Sequence, residues 1–224
     1  MQTAKHRAGL GALATFAALA LGMSAHGATL VGSWDFNSGS LARSQGTSGS
    51  MSTFLVGVAV LDYQTFSLPG TTVNAQPGVP AGDSLSFVSL LDIVEDGWIT
   101  ISGLDFTGLE DVEFSFAIAS DYVGVGAQNY TLEYNTGSGW ETFSGIAEPG
   151  TTFTSRTFDL SSVTDLNGAS SVALRIHFVE ALNLVDAVSF DNITVSAVPE
   201  PGTIGLLTAA GSLLILRRRS RATG

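Results

Sequence analysis

Two stretches of this chain alternate between large apolar residues and others with a period of two. Val112, Phe114, Phe116 and Ile118 recur at every second position around Glu113 and Ser115, and Val172, Leu174, Ile176 and Phe178 do the same around Arg175 and His177. A period of two lines one face of a β-strand; a helix would need its apolar residues every three to four positions. Short runs of this kind, bounded by Gly, Ser, Asn and Asp, fill the chain from 29 to 197, and helical periodicity is nearly absent there. The pattern predicts an all-β fold of many short antiparallel strands, a sandwich or a barrel; the expected architecture is an antiparallel, jelly-roll-like β-sandwich.

The expected strands are 29–36, 54–61, 84–91, 98–102, 112–118, 130–134, 140–143, 153–160, 172–178 and 188–195. Between them, 43–52 reads as a Ser/Gly-rich loop, and Leu68–Asp83, with Pro69, Pro77 and Pro80, as a long irregular connection. Asp92–Gly97 reads as an acidic turn, Asn135–Gly139 as a hairpin loop, and Leu160–Val163 as a single turn. The last strand has Val188 and Phe190 in phase, then Ile193 and Val195, so the phase slips by one residue at Asp191-Asn192. A slip inside a half-buried strand predicts a β-bulge. No internal repeat and no break into two domains is visible.

Both ends of the chain differ from this body. Lys5 and Arg7 precede an apolar run over 9–23, and Ser24-Ala25-His26-Gly27-Ala28 supplies small residues. Residues 1–28 thus read as a secretory signal peptide, cut after Gly27 or Ala28, which implies the Sec translocon and signal peptidase as partners. At the other end stands Val198-Pro199-Glu200-Pro201, then an uncharged apolar stretch over 203–216, then Arg217-Arg218-Arg219. The two prolines predict an extended, accessible backbone at 198–201. A helix over 203–216 would be about 21 Å long, shorter than a hydrocarbon core of roughly 30 Å. Snorkelling arginines and local thinning still allow a short transmembrane helix, with the arginines on the cytoplasmic side. The expected plan is a signal peptide (1–28), one β-sandwich domain (29–197) and a C-terminal segment (198–224), with the body in the periplasm or outside.

Charge and composition narrow what that body can do. It holds 19 acidic residues against three bases, Arg43, Arg156 and Arg175, a net charge of −16. Such a surface repels nucleic acid and anionic lipid, and suits cations and neutral glycans. There is no cysteine, which excludes a disulfide scaffold and a thiolate site. Of the three histidines, His6 and His26 fall in the signal region and His177 sits on a strand, opposite the core residues. A three-histidine zinc site is therefore excluded. No Gly-x-Ser-x-Gly elbow is present for a serine hydrolase.

The tail, with Val198-Pro199-Glu200-Pro201, a short apolar helix and an arginine cluster in that order, resembles the PEP-CTERM sorting signal of Gram-negative bacteria. That resemblance implies recognition of Pro199, Glu200 and Pro201 by the membrane protease-transpeptidase exosortase, retention through Arg217, Arg218 and Arg219, and association with exopolysaccharide and the biofilm matrix.

The segment 114–195 resembles bacterial jelly-roll domains of the carbohydrate-binding-module kind. The resemblance rests on Tyr130-Thr131-Leu132-Glu133-Tyr134 with its Gly-rich turn and Trp140, on Phe158-Asp159-Leu160, on 172–178, and on Phe190-Asp191-Asn192-Ile193-Thr194-Val195. It implies a structural Ca²⁺ held with the help of Asp191 and Asp35; the alternative is a polar bulge with hydrogen-bonded side chains. Trp98, Trp140 and Tyr122 are candidates for an aromatic sugar platform, or else partly buried sandwich aromatics. The leading expectation is a non-catalytic, structural or adhesive protein of the envelope. The rivals are a glycan-binding module and a glycoside hydrolase with a carboxylate pair.

Overall fold

The computed structural model describes residues 27–56, 63–88, 93–120, 129–182 and 187–200. The helices expected within 1–28 and over 203–216, and with them Pro201, Arg217–Arg219 and Tyr122, lie outside the described residues. Within those residues Ala28–Pro199 forms one compact all-β unit. Its strands are β1 (Thr29–Trp34), β2 (Gln45–Gly46), β3 (Ser50–Val56), β4 (Tyr63–Pro69), β5 (Asp83–Val88), β6 (Ile93–Leu104), β7 (Leu109–Ser120), β8 (Asn129–Asn135), β9 (Glu141–Ile146), β10 (Thr154–Asp159), β11 (Val172–Leu182) and β12 (Ala187–Pro199).

The strands make an antiparallel sandwich. The larger sheet runs β10-β7-β12-β1-β2, with β5 also paired to β12 and β4 to β5. The smaller runs β3-β6-β11-β8-β9. The two alternating stretches become β7 and β11, one in each sheet, and their apolar sets face each other across the core. Phe178 of the smaller sheet meets Phe87 and Phe190 of the larger one, with ring centroids 5.0 and 5.9 Å apart. Each such buried ring contributes about 2–3 kcal/mol of apolar burial. Gly97 lies opposite Phe178 in the ladder, and a Cβ there would stand 2.4 Å from the phenylalanine ring. Only glycine lets that ring reach the middle of the sandwich.

The bulge predicted at Asp191-Asn192 is present. The pairing of β12 with β7 shifts between Asp191 and Thr194, and Asn192 has φ 50°. It marks a change of partner. On one side of β12, residues 187–190 pair with β5, and residues from Ile193 on pair with β1. The connection after β4 is pinned against the bulge: Asn192 Nδ2 donates to the carbonyls of Thr71 and Val73 at 2.7 and 3.0 Å, and Asn74 Nδ2 donates to the Asn192 carbonyl at 2.8 Å.

Three expectations needed correction. The loop at 43–52 contains the two-residue β2 and the start of β3, because Gly46 fits against the Val31 and Gly32 backbone where a Cβ would come within 2.4 Å. The acidic stretch ending at Gly97 is largely strand, since β6 starts at Ile93 and pairs with β3 and β11 on its two sides. Tertiary pairing overrode a turn-like composition there. Third, Val198 and Pro199 are extended, as the prolines dictate, but they are half-buried within β12 and in register with Glu110 and Leu109. The turn at Leu160–Val163 is present, closed by Val163 N–H to the Leu160 carbonyl at 2.9 Å.

Candidate functional site: the outer face of the five-stranded sheet

Because side chains alternate along a strand, the residues between the core positions of the smaller sheet project outward together. One rung crosses all five strands as Phe54, Trp98, His177, Thr131 and Gly145. The neighbouring rung carries Ser52, Thr100, Arg175, Glu133 and Thr142. The fold thus gathers on one surface residues that lie far apart in the chain.

Their contacts form a single cluster. Trp98 stacks on His177, ring centroids 5.1 Å apart and planes 12° from parallel, and it touches Phe54 at 5.6 Å. The Arg175 guanidinium lies 5.7 Å from the Trp98 ring centre and 4.1 Å from that of Trp140. Arg175 Nε and Nη2 both donate to Glu133 Oε2, at 2.6 and 2.5 Å. The His177 ring bridges two carboxylates: Nε2 is 2.5 Å from Asp96 Oδ1, and Nδ1 is 3.3 Å from Glu133 Oε1. Thr131 Oγ1 also donates to Glu133 Oε1, at 3.3 Å. Glu133 is buried at the base of the cluster, whereas Phe54 is 62% exposed and Trp140 37% exposed.

The surface therefore combines wide apolar rings with fixed hydrogen-bonding groups, and its two acids are matched by an arginine and a histidine. Neutral polar molecules with a flat apolar side suit such a surface: rings pack on the apolar side, and fixed polar groups set the orientation. Of the platform candidates, Trp98 and Trp140 come together, joined through Arg175. Phe54, Asp96, Glu133, Arg175 and His177 were not singled out as ligand-binding by sequence. Their one signal is position: Arg175 and His177 occupy the outward places of the second alternating stretch.

Asp191 lies elsewhere, at the bulge of β12. Its carboxylate is almost fully buried, and burial pushes its pKa up to about 6, against the opposing hydrogen bonds from Thr71 N–H and Asn192 N–H and with the charge of Asp35 adding to the rise. Those two N–H groups donate to Oδ2 and Oδ1 at 2.7 and 2.8 Å. A Cβ on Gly70 would stand 2.6 Å from Asp191 Oδ2 and 2.7 Å from the Asp83 carbonyl oxygen, so only glycine fits beside the carboxylate. Among the described residues no group of three or more His, Cys, Asp or Glu side chains is placed to hold a metal ion.

The polar-bulge alternative describes the hydrogen bonding of Asp191 and Asn192. Gly27 and Ala28 are exposed and directly precede β1. Glu200 is exposed, just past the end of β12.

No protein-family model matches the sequence, and no curated protein matches it. Solved structures do resemble the fold. An exo-beta-agarase is similar with a TM-score of 0.50 and 14% identity over 77% of this chain, which spans 26% of the agarase chain. The xylan-binding domain from Paenibacillus barcinonensis is similar with a TM-score of 0.46 and 14% identity, covering 79% of this chain and 99% of that domain. The family 11 carbohydrate-binding module of a Clostridium thermocellum cellulosomal cellulase has a TM-score of 0.42 and 14% identity, covering 79% and 96%. At 14% identity the likeness to the agarase is one of fold. Among the described residues no helix is long and apolar enough to cross a membrane.

Proposed function

We propose that this is a non-catalytic adhesive protein of the cell envelope that binds uncharged saccharide on the outer face of its five-stranded sheet. The observation that carries this is the cluster of Trp98, Trp140 and Phe54 around Arg175, His177, Glu133 and Asp96 on one surface. Sugar rings pack their C–H sides on indole, and the fixed carboxylates and guanidinium read hydroxyl groups. Asp96 and Glu133, the acids of this face, are both engaged by His177, and Glu133 by Arg175 as well. Neither stands free for proton transfer to a glycosidic oxygen, which favours binding over cleavage.

The sequence of the tail supports a location for this activity: a PEP-CTERM-like signal, whose Pro199-Glu200-Pro201 motif an exosortase would recognise, with the apolar stretch over 203–216 and Arg217–Arg219 holding the chain in the inner membrane. A structural Ca²⁺ is part of the proposal. Asp191 and Asp35 would hold it, together with backbone oxygens such as that of Asp83, and it would neutralise carboxylate charge at the bulge.

The deciding experiment is calorimetric titration of the purified body with neutral polysaccharides (a xylan, a β-glucan and an agarose) and with the producing cell's own exopolysaccharide. Binding that weakens in Trp98→Ala and Trp140→Ala is expected. Failure to bind any of them at millimolar saccharide would overturn the glycan-binding function.

A further inference from the structure

The tail does not leave the domain where its sequence motif begins. β12 runs through Val198 and Pro199, which stand in register with Glu110 and Leu109 at the start of β7, and on its other side Ala197 is in register with Thr29 at the start of β1. Val198 and Pro199 are half-buried, whereas Glu200 is exposed and outside the strand. A protease binds its substrate as an extended segment through main-chain hydrogen bonds. Backbone already held in a ladder cannot serve that purpose unless the strand first opens, which costs free energy. The first backbone free of the sheet is therefore that of Glu200.

From this we infer that the bond broken when the tail is removed lies C-terminal to Pro199, and that Val198 and Pro199 stay with the folded body as the end of its central strand. The inference rests on the tail being a processed sorting signal, as proposed for its function. The peptide C–N bond breaks, the acyl carbon passes to water or to an acceptor amine, and the tail departs with a new amino terminus. The front half of the motif thus serves the fold, and Glu200, exposed and outside the strand, is the first position at which an enzyme finds the backbone free of the sheet. The sequence alone leaves this division open, because Val198-Pro199-Glu200-Pro201 reads there as one extended unit.

The test is mass spectrometry of the body's C-terminus in two settings. In the first, the full chain is produced in a Gram-negative host that carries an exosortase. In the second, the purified full chain in detergent is digested briefly with proteinase K. A last residue at Pro199 or later is expected in both. A body ending at Val198 or earlier in either would overturn the inference. An uncut tail in the first setting would refute the sorting proposal, and the second setting would still decide where the folded strand stops. Glu110→Pro disrupts the ladder opposite Val198 and is expected to move the earliest proteinase K cut upstream of Pro199. An unchanged boundary in that variant would show that strand pairing is not what protects these residues, and would also overturn the inference.

Discussion

The Arg175 guanidinium lies 4.1 Å from the centre of the Trp140 ring, and that one contact ties the edge of the face to its middle. Trp140 sits outside the strands, ahead of β9, and is 37% exposed. Its truncation should therefore cost the fold little, about 1 kcal/mol or less from the lost cation–π contact. Saccharide affinity should fall about tenfold, equivalent to about 1.4 kcal/mol of lost binding. Titration of Trp140→Ala beside its thermal melt checks both; unchanged affinity would remove Trp140 from the site.

Arg175 also neutralises a buried acid. Glu133 is 7% exposed and takes both donors of Arg175 at 2.6 and 2.5 Å. Arg175→Ala leaves His177 and Thr131 as its remaining partners. A loss of about 1–3 kcal/mol is expected, read from urea unfolding. Adding Glu133→Gln to Arg175→Ala should recover part of it, because the uncompensated charge is gone. A double variant no more stable than the single one would mean that packing of the arginine stem, not charge pairing, is what counts.

The Asp191 carboxyl titrates near pH 6 in the folded protein, against an ordinary value of 3.8, chiefly because it is buried. The folded state therefore holds this proton more tightly than the unfolded state does. The resulting stabilisation is complete below the unfolded value and is lost as pH rises through the folded one, an effect of about 3 kcal/mol at most. Unfolding midpoints should fall between about pH 4 and pH 6.5 in the wild type, and this component should vanish in Asp191→Asn. Equal slopes in the two proteins would refute it.

If Ca²⁺ binds at Asp191, it stabilises the charged form of the carboxylate. Millimolar Ca²⁺ should then raise the melting temperature near neutral pH by several degrees, and Asp191→Asn should abolish the gain. A chelator should lower it again. Superimposable melts with calcium and with chelator would eliminate the metal.

Asn192 holds the bulge from both sides. Its side chain donates to the Thr71 and Val73 carbonyls, and its own φ of 50° is a conformation that asparagine tolerates better than most residues. Asn192→Ala should cost about 2–4 kcal/mol: two half-buried carbonyls lose their donor, and alanine takes on the left-handed backbone. A loss below 1 kcal/mol in chemical denaturation would show that the connection after β4 closes over the sheet without it.

The inward faces of β7 and β11 were legible as sequence because a two-residue period has one physical meaning, and the slip at Asp191-Asn192 was legible because it breaks that period. The chain alone also determined that the body is acidic, cysteine-free and bracketed by two apolar ends, since these are matters of counting residues. The partners of each strand were not written there: Ile93–Gly97 looks like an acidic turn until β3 and β11 flank it, and pairing between distant strands leaves little local trace. The face was decided the same way. Trp98, Glu133, Trp140 and Arg175 are spread over nearly eighty positions, and only the lateral register of β6, β11 and β8, with the hairpin from β8 to β9, brings them within contact. Where the tail departs is likewise tertiary, because Val198 and Pro199 are extended in any case, and whether an extended segment is free or held depends on what lies beside it.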